Sequence, residues 1–231
     1  MRSSSKAELF RPPAGALQSL YEKLRAAYGE QPWWPAESPF EVVVGAVLTQ
    51  NAAWTNVERA IAQLKSCGLL SLDALLAVDH ATLAETIRPS GYYNVKAKRL
   101  RNLCEHLADH GGIEGLGGNT DSDIREGLLA VNGIGPETAD DILLYAMNRP
   151  VFVIDTYTRR LLQRNGLAHG DEPYDVLRMG FENALSADVF VYQQFHALIV
   201  IHAKASCRKS PACEGCVLLH QCPKGQQHSG T

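Results

Sequence analysis

Apolar residues recur with a helical period along most of this chain. Residues spaced i, i+3, i+4, i+7 share one face of an α-helix, whereas a half-buried strand alternates apolar and polar residues. The helical spacing occurs at 17–24, 57–64 and 72–76, and alternating stretches are nearly absent. The run FEVVVGAVLT at 40–49 is apolar on all sides and, without partner strands, predicts a buried central helix. We therefore expect an all-α protein.

The composition indicates a soluble globular protein. Its 231 residues, 45% of them hydrophobic, suffice for the core of one large domain or two small ones. The polar N-terminus lacks the apolar segment of an export signal, and no apolar run is long enough to span a membrane. A cytoplasmic, nucleoid-associated protein with no membrane partner is expected. The net charge of −3 does not by itself indicate a nucleic-acid partner. Two local basic clusters, KAKRLR at 96–101 and the pair 159–160, could still contact DNA, and the alternative is that they are solvated helix faces.

Four of the six cysteines lie close together near the C-terminus. They are Cys207, Cys213, Cys216 and Cys222. In a cytosolic chain such a cluster indicates metal ligands rather than disulfides. Zinc sites usually pair two short cysteine hooks across a longer loop, but here only the central spacing is short. The pattern favours a 4Fe-4S cluster, with zinc as the alternative.

A glycine-containing turn separates two predicted helices within residues 124–147. The second helix begins at Pro136, which suits the first helical position because proline lacks an N–H group. Gly133 and Gly135, on either side of Ile134, remove Cβ atoms that would keep a ligand away from the backbone. Their N–H groups would form a site for an anion such as a DNA phosphate. The alternative is a tight turn in which glycine only permits a positive φ.

The motif L-x-x-x-G-I-G-x-x-T-A at 129–139 resembles the helix-hairpin-helix of the endonuclease III superfamily of DNA glycosylases. In that family an apolar segment and an aspartate follow, as in VFVIDTYTRR at 151–160. The motif L-T-Q-N at 48–51 matches the family's DNA-contacting glutamine loop. The cysteine cluster matches the 4Fe-4S ligands of many members, except that the first spacing is five residues where the family usually has six.

The resemblance implies a bilobal fold and a partner, double-stranded DNA with a damaged base. We expect a helical domain at 38–150, with the hairpin at 124–147. The iron-sulfur lobe would combine 14–37 with 151–231, its cluster loop being 207–222. Residues 1–13 are expected to be a flexible N-terminus, and the protein a monomer. The family implies a structural cluster whose basic loop faces the DNA backbone.

Asp155 is the candidate for stabilising charge during base release. Cleavage of an N-glycosidic bond builds positive charge on the deoxyribose, which a pre-placed carboxylate stabilises. Because Asp155 follows the apolar run at 151–154, we expect desolvation to raise its pKa. An aspartate before Thr-Tyr-Thr is also a good helix N-cap, and the two roles are compatible.

A target base must be flipped out of the duplex, and a side chain must fill the gap. Gln50 matches the family's wedge residue, and Asn51 follows it in the same loop. The alternative is an ordinary exposed glutamine at a helix end. Residues 133–135 of the hairpin, with Arg159 and Arg160, are expected to contact phosphates.

Position 137 separates subclasses of the family. Bifunctional members carry a lysine there, which forms a Schiff base with the sugar and cuts the strand. Here the residue is Glu137, so lyase activity is not expected. Adenine glycosylases acting opposite 8-oxoguanine also lack the lysine, but they usually add a C-terminal domain, and nine residues follow Cys222 here.

All three tryptophans, Trp33, Trp34 and Trp54, flank the glutamine loop. With L-T-Q-N and RPSGYYNVKAKRL at 88–100 they resemble the 3-methyladenine DNA glycosylase III branch. In that branch aromatic residues at the matching positions sandwich the alkylated base, and a glutamate matching Glu137 lies by the pocket. The alternative is that Trp33 and Trp34 pack a helix junction.

The sequence thus predicts a monofunctional glycosylase of base excision repair that releases alkylated purines. Two other functions stay open. A uracil or thymine mismatch glycosylase would excise uracil from undamaged duplexes. A non-catalytic iron-sulfur DNA-binding protein would bind abasic DNA without releasing a base, and it would be indifferent to the loss of Asp155.

Overall fold

Helices make up the regular structure of residues 10–229, the part of the chain that the computed structural model describes. No strand occurs in this range, which confirms the all-α prediction. The predicted flexible N-terminus lies outside the described residues at positions 1–9. The helices are α1 (Ala16–Tyr28), α2 (Pro39–Thr49), α3 (Trp54–Ser66), α4 (Leu72–Ala77), α5 (His80–Thr86), α6 (Tyr93–Asp109), α7 (Gly112–Leu116), α8 (Asp121–Ala130), α9 (Pro136–Asp141), α10 (Thr156–Arg164), α11 (Tyr174–Ala184), α12 (Val189–Ala205) and α13 (Pro223–Ser229). None of the helices within 10–229 is both long and apolar enough to cross a bilayer.

The chain divides into two compact units, each with its own core. One unit spans residues 34–149, and the other combines residues 10–33 with 150–229. We call them the hairpin unit and the cysteine unit, after the helix-hairpin-helix turn and the four C-terminal cysteines that they contain.

Helix α2 is the central helix of the hairpin unit. Pro39 occupies its first turn, and the Ser38 hydroxyl accepts a hydrogen bond from the Glu41 N–H at 3.1 Å. Every residue from 41 to 48 is buried, which confirms the prediction of a buried helix. Helices α3, α6 and α9 contact α2. Each valine or leucine removed from water here stabilises the fold by about 1.5–3 kcal/mol.

The predicted hairpin is formed by α8, the turn at 131–135, and α9. Val131 and Ile134 are buried, and the Ile134 N–H donates to the Val131 carbonyl at 3.0 Å. Pro136 is the first residue of α9, as predicted. A single π-helical turn, Ile142–Ala146, continues α9 and is wholly buried.

The core of the cysteine unit is built around the apolar helix α12. Phe152 stacks on Phe181 with ring centroids 4.0 Å apart, and Phe195 and Tyr192 meet Phe152 edge-on. Residues 151–154 are extended and buried, so their backbone groups need partners inside the protein. The Glu182 carboxylate accepts from the Phe152 N–H at 3.0 Å, and the Tyr174 hydroxyl accepts from the Ile154 N–H at 3.2 Å. This segment leads directly into Asp155.

Candidate active site and DNA interface

Asp155 lies at the junction of the buried extended segment and α10. It is the N-cap of α10, where its Oδ1 accepts a hydrogen bond from the Thr158 N–H at 2.7 Å. Its Oδ2 lies 3.6 Å from Nε2 of His196 on α12. Both side chains are buried, Asp155 at 8% exposure. The predicted N-cap is therefore confirmed, and a buried histidine accompanies the carboxylate.

The net effect of this environment is to lower the pKa of Asp155 below its usual value. Burial acts in the opposite direction and raises the pKa, because it disfavours the charged form. The contact with His196 and the hydrogen bonds from Thr158 together outweigh burial. The prediction of a raised pKa was therefore wrong, because the sequence showed the apolar segment but not the histidine.

Arg159 and Arg160 hold backbone groups of their own unit. Arg159 donates to the Glu172 carbonyl at 2.7 Å. Arg160 donates to the Cys207 carbonyl at 2.8 Å, and its guanidinium lies 5.0 Å from the centre of the Tyr157 ring. Both side chains are half-buried, so phosphate contacts by these arginines stay a prediction.

The four C-terminal cysteines all line one cavity of the cysteine unit, beside α10 and α12. Cys207 and Cys222 are buried, and Cys213 and Cys216 are half-buried. Within residues 10–229 no three histidine, cysteine or acidic side chains converge closely enough to hold a single metal ion.

Hydrogen-bond donors reach two of these sulfurs. Arg164 on α10 donates to Sγ of Cys207 at 3.3 Å, and the Gly225 N–H donates to Sγ of Cys222 at 3.4 Å. Arg164 also donates to the carbonyls of Arg208 and Lys209 and so holds the first cysteine loop. Thiolates that receive such donors are suited to bind a metal cluster, because the donors offset their negative charge.

Gln50 follows α2 and bridges two elements of the hairpin unit. Its Nε2 donates to the Gly133 carbonyl at 3.2 Å and to the Thr138 hydroxyl at 2.9 Å. Its Oε1 accepts from Arg99 at 2.5 Å. The neighbouring Asn51 is exposed, with a left-handed φ of 52°. The structure thus ties the predicted wedge loop to the hairpin.

The two hairpin glycines have different conformations. Gly133 has φ 98°, and a Cβ there would lie 2.3 Å from the side chain of Arg99. Gly135 is extended at φ −100°, and a Cβ there would meet no atom within 4 Å. Contacts inside the protein therefore require glycine at 133, whereas a side chain at 135 would extend into open space.

Part of the basic cluster at 96–101 makes contacts inside the protein, which neither of the two alternatives for this cluster anticipated. Lys96 is 1% exposed and donates to the carbonyls of Leu48 and Ser90 at 2.8 and 2.7 Å. Burial, with the nearby charge of Arg99, lowers the pKa of Lys96 to about 8. Arg101 donates to the Leu76 carbonyl at 2.9 Å. These cations support loops from the inside, and Lys98 is exposed.

Trp34 and Trp54 lie together in the hairpin unit. Their rings meet edge to face, with centroids 5.4 Å apart and planes at 86°. Gly45 on α2 allows this arrangement, because a Cβ there would lie 3.2 Å from the Trp34 indole nitrogen. The two rings line an open cavity between α2 and α3, which Glu41, Glu58 and Lys65 also line.

The other two predicted pocket residues are placed elsewhere. Trp33 belongs to the cysteine unit, where Nζ of Lys204 lies 5.8 Å from its ring centre. Glu137 is in the first turn of α9 and is not one of the residues that line the Trp34–Trp54 cavity. The structure therefore brings together two of the three tryptophans within one unit.

Three residues near these sites were missed in the sequence. In the sequence, His196 is only a polar residue inside an apolar run, and Arg99 belongs to a basic cluster and a family motif that gave it no individual role. Tyr92 is 73% exposed with a left-handed φ of 47°, an unusual conformation for an aromatic residue before α6. The feature of the sequence that could have indicated Tyr92 is the pair of aromatic residues directly after Gly91, which ends the preceding turn.

A sequence profile identifies the family of the chain. The profile of the HhH-GPD superfamily, base excision DNA repair proteins, matches residues 44–185. This chain belongs to the HhH-GPD superfamily. The match covers both the glutamine loop and the helix-hairpin-helix, and it extends through Asp155, so the predicted family is confirmed.

Relatives within the HhH-GPD superfamily cover most of the chain. A provisionally named DNA repair glycosylase of Methanocaldococcus jannaschii is 46% identical over 209 residues, which are 89% of this chain and 95% of that protein. Endonuclease III of Sulfolobus acidocaldarius is 28% identical over 79% of this chain and 81% of its own length.

Solved structures agree with this placement. The H. pylori 3-methyladenine DNA glycosylase (MagIII), solved with 1,N6-ethenoadenine, has a TM-score of 0.71 at 32% identity, over 81% of this chain and 97% of that one. An endonuclease III–DNA complex has a TM-score of 0.80 at 21% identity, over 93% of this chain and 97% of that one, and shows the shared fold.

Proposed function

We propose that this HhH-GPD protein is a monofunctional DNA glycosylase that excises alkylated purines, above all 3-methyladenine, and leaves an abasic site. One observation carries the proposal: the buried carboxylate of Asp155 lies 3.6 Å from Nε2 of His196 and accepts the Thr158 N–H, contacts that lower its pKa against the effect of burial. Methylation at N3 or N7 makes a purine cationic and weakens its glycosidic bond. Such a base leaves without protonation by the enzyme, so the reaction needs a negative charge beside the sugar rather than an acid.

The proposed role of Asp155 is electrostatic stabilisation of the positive charge that develops on the deoxyribose. The cationic methylated purine takes the bonding electrons and leaves as a neutral base, and water then adds to the sugar carbon and loses a proton to solvent, which gives the abasic site. A carboxylate that is already ionised and already fixed by its N-cap bond requires no reorganisation as that charge forms. Its buried surroundings strengthen the interaction, because little water screens it. His196 would keep the carboxylate charged and oriented.

Selection of a cationic base would come from the cavity lined by Trp34 and Trp54. A cation over a tryptophan face gains about 0.5–2 kcal/mol relative to a neutral parent base. Glu58, exposed at the same cavity, adds an attractive charge, whereas Glu41 is already paired with Lys65 at 3.0 Å. We also propose that Trp33 and Glu137 contact the damaged base when DNA is bound.

DNA contacts are proposed for the two loops that Gln50 ties together. Gln50 would enter the gap left by the flipped nucleotide, with Asn51 beside it. The N–H groups of Gly133 and Gly135, on either side of Ile134, would bind a phosphate, and the open space where a Cβ of Gly135 would lie supports a close approach there. Arg159 and Arg160 are also proposed to contact phosphates.

The four cysteines Cys207, Cys213, Cys216 and Cys222 would hold a 4Fe-4S cluster. The shared cavity and the donors to two of the sulfurs support this assignment. Such a cluster supplies a rigid, negatively charged centre that fixes the chain around it. In this protein it would hold the loop with Arg208 and Lys209 in place. We further propose a monomer located in the cytoplasm at the nucleoid.

The test is to incubate the holoprotein with a panel of modified duplexes and to identify the released bases by chromatography. Release of 3-methyladenine from methylated DNA supports the proposal. Excision of uracil with no methylated purine would favour the mismatch glycosylase. Tight binding to abasic DNA without release of any base would favour a non-catalytic DNA-binding protein.

A further inference from the structure

One row of side chains on α6 holds both loops that are proposed to contact DNA. Lys96, Arg99 and Asn102 are spaced i, i+3, i+6, so they form a row that turns gradually about the helix axis. Lys96 donates to the Leu48 carbonyl just before the glutamine loop. Asn102 Nδ2 donates to the Asn132 carbonyl of the hairpin turn at 2.9 Å. Arg99 lies between these two contacts.

Arg99 contacts both loops at once. Its Nη1 donates to Oε1 of Gln50, while its aliphatic stem lies against Gly133 so closely that a Cβ there would be 2.3 Å from Arg99 Cγ. The absence of a side chain at 133 therefore makes room for Arg99.

Both the nitrogen and the oxygen of the Gln50 side-chain amide make hydrogen bonds in this arrangement. A glutamine amide has two N–H donors and an acceptor oxygen. Both donor bonds go to the hairpin, at Gly133 and Thr138, and the oxygen accepts from Arg99. Because Arg99 can only donate and the Gly133 carbonyl can only accept, these two groups together determine which end of the amide faces the hairpin.

We propose that Arg99 is a positioning residue that fixes the orientation of Gln50 and couples the glutamine loop to the hairpin. Phosphate binding at the hairpin would then set the depth at which Gln50 enters the duplex. The inference rests on the proposed wedge role of Gln50. It gives Arg99 an action through Gln50 rather than a DNA contact of its own.

The test measures base flipping with a 2-aminopurine reporter beside an abasic site in duplex DNA. The variant Arg99→Met keeps the stem over Gly133 but removes the donor to Gln50. We expect the flipped fraction to fall about fivefold to tenfold, which lies within the range of interaction energies between residues in contact. In a Gln50→Ala background the same substitution should change flipping less than twofold, because there is no amide left to orient.

Lys98→Met is the matched control, since Lys98 is an exposed cation one position away on α6. It removes the same charge, so equal losses in the two variants would mean a general electrostatic effect and would overturn the proposal. Arg99→Lys, which retains a donor, should recover part of the flipping, and thermal unfolding identifies any variant that fails to fold. If Gln50→Ala flips DNA normally, the wedge role itself fails. If Gln50→Ala is defective while Arg99→Met is normal, only the positioning role fails.

Discussion

Nε2 of His196 lies 3.6 Å from Oδ2 of Asp155, inside the core of the cysteine unit. The histidine comes from the middle of an apolar helix, and the aspartate from the end of a buried extended segment. Burial alone would favour a neutral carboxyl group, but this pairing and the N-cap bond keep it charged. The carboxylate is therefore prepared to stabilise positive charge.

The first prediction concerns the pH dependence of base release. Because the pKa of Asp155 is lowered, the carboxylate stays ionised down to acidic pH. Its contribution to the free energy of unfolding is likewise lost only as the pH falls through that lowered pKa. In His196→Gln the main lowering contact is lost, so the pKa of Asp155 should rise. The acid limb of the rate profile should then move to higher pH. Single-turnover rates between about pH 4 and 8 measure this, and an unchanged acid limb would refute the role of His196.

A second prediction concerns the product. Glu137 provides no amine to form a Schiff base, so the reaction should leave an intact strand with an abasic site that breaks only on later treatment with alkali. Denaturing gels with and without alkali measure this. Covalent trapping of the protein on DNA by borohydride would contradict monofunctionality.

The third prediction ranks the tryptophans. Trp54→Ala should weaken release of 3-methyladenine more than Trp33→Ala or Trp34→Ala, because Trp54 is the one of the two cavity tryptophans that follows the Gln50 loop directly. The loss should correspond to about 0.5–2 kcal/mol, or roughly twofold to thirtyfold. Trp34→Ala should lower the melting temperature more, since Trp34 also contacts Tyr145 and lies against Gly45. Equal rates for all three variants would remove the cavity from the mechanism.

The fourth prediction concerns the cysteine cavity. The purified protein should be yellow-brown, absorb at about 400 nm and contain about four irons per chain. Cys213→Ser should lose the colour, whereas Cys67→Ser should keep it, because Cys67 is an exposed cysteine in the hairpin unit. One equivalent of zinc with no visible absorption would establish the alternative metal.

The sequence predicted those features that depend on residues close together along the chain. The period of α2, Pro136 at the start of α9 and the N-cap at Asp155 are all local, and each is found in the structure. The contacts that tune these sites join distant residues. His196 reverses the expected shift of the Asp155 pKa, and Arg99 explains the glycine at 133.

The basic cluster on α6 shows the same limit. Its charges predicted a surface, either for DNA or for solvent, since lysine and arginine are rarely buried. The buried carbonyl of Leu48 needs a donor where its loop leaves the helix, and Lys96 on another helix supplies it. No local pattern indicates which carbonyls a fold leaves without a partner in their own helix.

The most direct test of the account is the rate of 3-methyladenine release by Asp155→Asn. Asparagine is as good an N-cap as aspartate, so the variant should fold with little change in melting temperature and should still bind damaged duplexes. Removal of the negative charge should slow base release at least about 100-fold under single-turnover conditions. A variant that is folded, binds DNA and releases 3-methyladenine at nearly the wild-type rate would contradict the central role of Asp155.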